Sequence, residues 1–294
     1  MFIRAIEIAT EFTRPIHTIQ RFYSSNAILP GAATLFFVNA DGWALTCSHV
    51  AQVLVAADQI ARRKADYEKD FAAMKGKKKE KQILRELEQK YQLRKEPLFE
   101  LKNRFMNCIE GVLNVDIQIH PTSDVALLHF QNYTRLLCTS FPLFPGDTTG
   151  LRQGKFLCRL GFPFPEFTNF AYDQNTNTID WTNIGRDNTP IFPIEGMLTR
   201  RLRSPDNAIV GFEMSTPGLR GQSGGPAFDI DGRVWGMQSS TNHLDLDFDV
   251  DIEVIRTGKP KKVHDSAFLH VGHCVHVDIL KDFMRQSNVS FREE

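Results

Sequence analysis

The sequence predicts an all-β protein, a barrel or a sandwich, interrupted by one helical insertion. Three observations carry that expectation: many short apolar runs punctuated by Gly, Pro, Asn and Asp, one charged stretch with helical spacing, and an ordinary globular composition. The 294 residues are 42% hydrophobic and 24% charged, enough chain for one large domain or two ordinary ones with self-sufficient cores. Lys plus Arg and Asp plus Glu both number 35, so the net charge is zero. That balance argues against whole-protein attraction to nucleic acid or to a membrane surface.

The elements follow in order. Residues 12 to 50 contain the runs FTRPIHTIQRFY, ATLFFV and WALTCSHV, with Asn39-Ala40-Asp41-Gly42 as turn chemistry between the last two, which reads as antiparallel hairpins. From about 58 to 104 the sequence turns charged, with Ile83, Leu84, Leu87 and Tyr91 at helical spacing, and two helices broken near Gly76 are expected. This stretch holds 15 Lys or Arg against 9 Asp or Glu, a surplus of +6 that the remainder must balance with −6. From Gly111 the strand signature returns in VLNVDIQIH, DVALLHF, KFLCRLGF, AIVGFEM and RVWGMQSS, and a second polar insertion runs near 166 to 190. In LDLDFDVDIEV, residues 244 to 254, apolar positions alternate with Asp245, Asp247, Asp249, Asp251 and Glu253. A strand there places five carboxylates on one face and an apolar row on the other. It is either a solvated face or a dock for the basic segment 77 to 81 or a basic substrate.

Several classes are excluded. MFIRAIEIATEFTRP has charges where an export signal needs an unbroken apolar stretch, and no run reaches the roughly 18 to 20 apolar residues of a membrane-spanning helix. Cys47, Cys108, Cys138, Cys158 and Cys274 are scattered and odd in number, so neither a disulfide framework nor a zinc knuckle is expected, and the setting reads as reducing and cytoplasmic. In His270-x-x-His273-Cys274-x-His276, successive histidines on a strand face opposite sides, so no metal is expected. Lys77, Lys78 and Lys79 lack the interleaved aromatics that would stack on bases, which argues against nucleic acid.

Three segments carry chemistry in order: TCSHV with His49, SDVALLHF with Asp124, and GQSGGPAF with Ser223. A serine hydroxyl is a poor nucleophile until an imidazole takes its proton, and the imidazole needs a carboxylate to fix its tautomer. Glycines around Ser223 allow backbone donors to converge on one oxygen. Asp116 and Asp147 are alternative acids, but only Asp124 begins an apolar strand that would bury it beside the histidine.

These residues resemble the trypsin-like (chymotrypsin-fold) serine peptidases, and within them the HtrA/Deg-type protease domain without its PDZ domain. LTCSHV, the GFP turn at Gly161 to Pro163 and DGRVWGMQSS all match that pattern, as does FLHVGHCVHVDILKDFM as closing strand and C-terminal helix. The resemblance implies two orthogonal six-stranded antiparallel β-barrels. Residues 1–140, with the insertion at about 58–104, would carry His49 and Asp124, and residues 141–294 would carry Ser223 and end in a helix. It implies a serine endopeptidase acting through an acyl-enzyme, on polypeptide substrate and without a cofactor. Gly221 and Ser223 would supply the oxyanion hole, Ser239 would brace the acid, and Ser240 and Thr241 would line the substrate channel. Pro217 falls at the pocket floor, where specificity for basic side chains needs an acid, so a small or aliphatic side chain is expected there. Gln222 stands where relatives activated by a new N-terminus carry an acid. Control would therefore come from loop ordering or a protein partner docking on the insertion. The rival reading is a catalytically silent module that binds peptide or a partner in the same cleft.

Overall fold

In the computed structural model, residues 2–95, 97–256 and 259–294 are described. The chain begins with a helix that the sequence reading did not anticipate, α1 (Ile3–Phe12), which buries Ala5, Ala9 and Phe12 at helical spacing. It leads directly into β1 (Thr13–Phe22), followed by β2 (Leu29–Phe37) and β3 (Trp43–Thr46). At the β2–β3 turn, Asn39 Oδ1 accepts from the N–H groups of Asp41 and Trp43, the local bonding that makes Asn a turn residue.

The helical insertion is present with different bounds. The first helix, α2, spans Ser48–Met74 and begins about ten residues before the expected start, with Val50, Leu54 and Ala57 on its buried side. Its partner α3 is Glu80–Lys90, and after the short 3-10 turn Leu93–Lys95 the chain enters β4 (Leu98–Phe105). The end of the expected insertion is thus a strand, since Phe99 and Leu101 have the burial of a sheet residue. Segment 77 to 81 is not one helix: residues 77–79 form an exposed turn, with Gly76 just before it at φ +83°, and Glu80 and Lys81 open α3. Tyr67, Ile83, Leu87, Leu93 and Phe99 form a small core of their own between these helices and the sheet.

With β5 (Ile109–Ile119) and β6 (Ala126–Leu136), the first half makes a six-stranded sheet in the order β4-β1-β2-β3-β6-β5. Next come β7 (Leu143–Phe144), β8 (Phe156–Arg159), the hairpin β9 (Phe170–Asp173) and β10 (Thr178–Trp181), then β11 (Ile194–Arg203) and β12 (Ile209–Met214). The chain finishes with β13 (Pro226–Phe228), β14 (Val234–Arg256), β15 (Lys259–His276), α4 (Val277–Gln286) and β16 (Arg292–Glu293). Strands β11-β12-β15-β14-β13-β8 close into a barrel, which leaves no edge among those six. The fold is therefore the all-β, chymotrypsin-like one, with the first unit a sheet edged by β4 and β5 and the second a closed barrel. One apolar cluster runs from Phe12, Leu35 and Phe130 through to Phe228 and Val275, so the two units share a core. Among the described residues, no helix is long and apolar enough to cross a membrane.

The acidic stretch departs from a simple strand. It lies in β14, paired with β15, but the register shifts between Asp245 and Asp249 and Asp247 takes φ +55°. A bulge breaks period-2 alternation, and Leu246, Phe248 and Val250 are exposed instead of forming a buried apolar row.

A buried charge cluster ties the insertions to the sheet. Glu100 on β4 takes Arg21 Nε at 2.5 Å and Lys64 Nζ of α2 at 2.9 Å, while Arg21 Nη2 also reaches the Asn177 carbonyl in the β9–β10 hairpin at 3.0 Å. Removing the shared carboxylate strands the buried Arg21 and leaves Lys64, among the described residues, with only the exposed Glu68 as a carboxylate partner, at 3.0 Å, so Glu100→Leu is expected to lower stability by about 3–5 kcal/mol. The midpoint of urea unfolding reads this, and an unchanged midpoint would contradict the assignment.

Candidate active site

A carboxylate in a partly buried position needs donors, and Asp124 has them. It sits just before β6, facing the N-terminus of α2, where the first N–H groups lack intrahelical partners. The backbone N–H of His49 donates to Asp124 Oδ1 at 3.1 Å and the Ser48 hydroxyl to the same oxygen at 2.8 Å. The buried Ser239 on β14 donates its hydroxyl to Oδ2 at 2.5 Å. The His49 ring completes the set, with Nδ1 at 2.9 Å from Oδ2 and 3.0 Å from Oδ1. Burial alone would raise the carboxyl. Hydrogen bonds from His49, Ser239, Ser48 and the His49 backbone together outweigh it and hold Asp124 well below the usual carboxylate range. An ionised carboxylate only accepts, so Nδ1 carries the ring proton and Nε2 is left as an acceptor.

Ser223 lies on the turn between β12 and β13. Gly221 at φ +100° and Gly224 at φ +88° adopt a conformation costly for other residues, and a Cβ on Gly224 would collide with the Thr34 carbonyl. The turn is held from the first sheet: Thr34 Oγ1 donates to the Gly221 carbonyl at 2.7 Å, and the Thr34 N–H donates to the Ser223 carbonyl at 3.0 Å. Among the described residues, neither the Gly221 N–H nor the Ser223 N–H donates a hydrogen bond. Gln222 is fully buried and braces the turn, with its side chain accepting from Leu219 N–H at 3.0 Å and donating to the Phe192 carbonyl at 3.1 Å.

His49, Gly221, Ser223, Ser239, Ser240 and Thr241 all line one cavity of about 490 Å³. Thr241 Oγ1 donates to the Gly218 carbonyl at 2.6 Å, and Ser240 Oγ lies 3.2 Å from His273 Nδ1. Two expectations are corrected. Pro217 does not line the cavity, because its carbonyl points back to accept from Arg159 Nη2 at 3.1 Å. The expected single row of hydrogen bonds is incomplete: the Ser223 hydroxyl donates to the Ser239 carbonyl at 3.0 Å, and no bond to His49 is formed among the described residues.

Cys47, His49 and Asp124 offer ligand atoms within 4.8 Å of one another. That set suits a metal poorly, since burial pushes the Cys47 thiol well up and Asp124 already accepts from Ser48, His49 and Ser239. Sequence reasoning missed Ser48 and Thr34. A serine at a helix start beside His49 was a readable signal, whereas nothing local marks Thr34.

The fold is that of a serine protease, with an imidazole and carboxylate on the first unit and a glycine-framed serine on the second. The family model described as trypsin-like peptidase domain matches residues 33–237, and the chain belongs to that family. Among solved structures it is similar to the Rv3671c protease of M. tuberculosis in its active form, at 10% identity and TM-score 0.48, covering 98% of this chain and 86% of that one. It is also similar to the HtrA-type protease AlgW with a tripeptide, at 11% identity and TM-score 0.46, covering 97% of this chain and 62% of that one. A search of the curated proteins returned no match.

The depressed Asp124 ionisation has a signed consequence. Its folded value lies below the ordinary 3.8, so its contribution to stability is full above that value and is lost as pH falls through the folded one. The stability difference between the protein and Asp124→Asn should stay constant above about pH 5 and shrink steadily on acidification. Urea midpoints across the acid range measure it, and a difference independent of pH would contradict the assignment.

Proposed function

We propose that the protein is a serine endopeptidase that cleaves polypeptides through an acyl-enzyme. The observation that carries this reading is the ionised Asp124 bonded to Nδ1 of His49, a residue that lines the same cavity as Ser223 and its glycine turn. Rotation about the Ser223 Cα–Cβ bond exchanges the Ser239 carbonyl for His49 Nε2 as acceptor, a contact of the kind that tightens when substrate fills the site. Ser223 Oγ then attacks the substrate carbonyl carbon as its proton passes to Nε2, while Asp124 stabilises the imidazolium. The free N–H groups of Gly221 and Ser223 take the developing oxyanion, a role in which one lost donor costs about 3–4 kcal/mol of barrier lowering. The imidazolium returns its proton to the leaving amine, and water, activated by the same ring, releases the acyl group. Every step uses side chains and backbone groups of the chain itself.

One observation favours the rival reading of a silent binding module: the hydroxyl rests on Ser239 rather than on the imidazole. A neutral fluorophosphonate distinguishes them. Covalent labelling that disappears in Ser223→Ala supports the endopeptidase, and absence of labelling in the folded protein supports the module. In a peptide-cleavage assay Asp124→Asn should slow turnover by roughly 10⁴-fold, because the ring loses its Nδ1–H tautomer. Turnover within tenfold of the unmodified protein would contradict the role given to Asp124.

A further inference from the structure

Arg159, the last residue of β8, is fully buried and is the largest such side chain among the described residues. It stands in an apolar run between Cys158 and Leu160, both buried, where a cation is costly without compensation. Its Nη1 donates to Gln238 Oε1 at 2.5 Å, and its Nη2 to Thr216 O at 2.9 Å, Thr216 Oγ1 at 2.6 Å and Pro217 O at 3.1 Å. All four acceptors are neutral. Among the described residues no carboxylate pairs with it, and its Nε–H has no acceptor at all. The space is reserved for it, since a Cβ at Gly272 on β15 would overlap Nη1.

This charge lies directly behind the cavity that holds Ser223. Gln238 lines that cavity, accepts from Arg159 through Oε1 and donates through Nε2 to the Ser240 carbonyl at 2.7 Å. Thr216 and Pro217, which the guanidinium also holds, immediately precede Gly218 and Leu219 in the cavity wall. Among the described residues the lining contains Arg220 but no Asp or Glu. A buried guanidinium with neutral acceptors and one unmet Nε–H, beside a pocket lined by no carboxylate among the described residues, attracts an anion, because low surrounding polarity leaves its field unscreened.

We propose that this pocket takes an acidic side chain, Glu or Asp, from the substrate residue whose carbonyl is attacked, with Arg159 as the specificity-determining charge acting through Gln238. The inference rests on the endopeptidase reading and replaces the expectation of a small or aliphatic side chain. A basic side chain is disfavoured by the same charge. Glu and Gln differ in charge at nearly equal shape, so their comparison isolates the effect.

Two fluorogenic peptides identical except for Glu or Gln before the cleaved bond should differ in kcat/KM by about tenfold or more in favour of Glu. Arg159→Met should bring the ratio close to one while leaving fluorophosphonate labelling of Ser223 in place. If that variant fails to fold, the ratio in the unmodified protein decides the matter. A ratio of one or less, with Ser223 labelled, overturns the acidic preference and leaves the endopeptidase standing. A high ratio that survives in folded Arg159→Met overturns the role of Arg159. Neither cleavage nor labelling overturns both readings together.

Discussion

One carboxylate joins the parts on which the site depends. Asp124 precedes β6 and accepts from Ser48 and His49 at the start of α2 and from Ser239 on β14, so the first sheet, its helix and the barrel meet on two oxygen atoms. The helix N-terminus adds a favourable field for the negative charge. The same bonds that keep Asp124 ionised orient the imidazole, so the geometry of His49 and the charge that tunes it have a common origin. A ring half exposed to solvent would otherwise sample many orientations.

The nucleophile turn is positioned by a second junction. Thr34 on β2 holds both the Gly221 and Ser223 carbonyls, and its own carbonyl accepts from Thr46 Oγ1 at 2.7 Å. Those two bonds fix the backbone of a turn in which, among the described residues, the Gly221 and Ser223 amides have no internal acceptor while the Gln222 N–H donates to the Leu219 carbonyl at 2.9 Å. The barrel therefore supplies the serine, but the first sheet sets its backbone. Neither unit would hold the arrangement alone, which is consistent with the apolar core they share. Behind the same cavity the barrel buries Arg159 among neutral acceptors, a cost in stability that makes physical sense where an anion is to be received.

Much of this was legible in the residues. Strand runs with turn chemistry between them mark the all-β class, and the segments around His49, Asp124 and Ser223 mark the residues on which the proposed chemistry rests. The helix α1 has no side-chain cap at Phe2 and runs straight into β1, which leaves its bounds unmarked, and the start of α2 is hidden because β3 and the helix are separated by Cys47 alone. The strand at 98–105 was absorbed into the insertion because Lys102 and Arg104 extend its charge. Period-2 alternation in 244 to 254 was read as two clean faces, whereas a bulge at Asp247 ends the alternation. Thr34 could not be found, since its partners lie about 190 residues away, as the 187-residue separation to Gly221 shows. Arg159 did leave a trace, as the one charge inside KFLCRLGF after the strand has begun.

The central claim is that Asp124 fixes the His49 ring with its proton on Nδ1 and a bare, basic Nε2 toward the cavity. Nitrogen-15 NMR of the His49 imidazole reads this directly in the resting protein. The account predicts that the neutral ring carries its proton on Nδ1 and leaves Nε2 unprotonated. A proton on Nε2 with Nδ1 bare would contradict it.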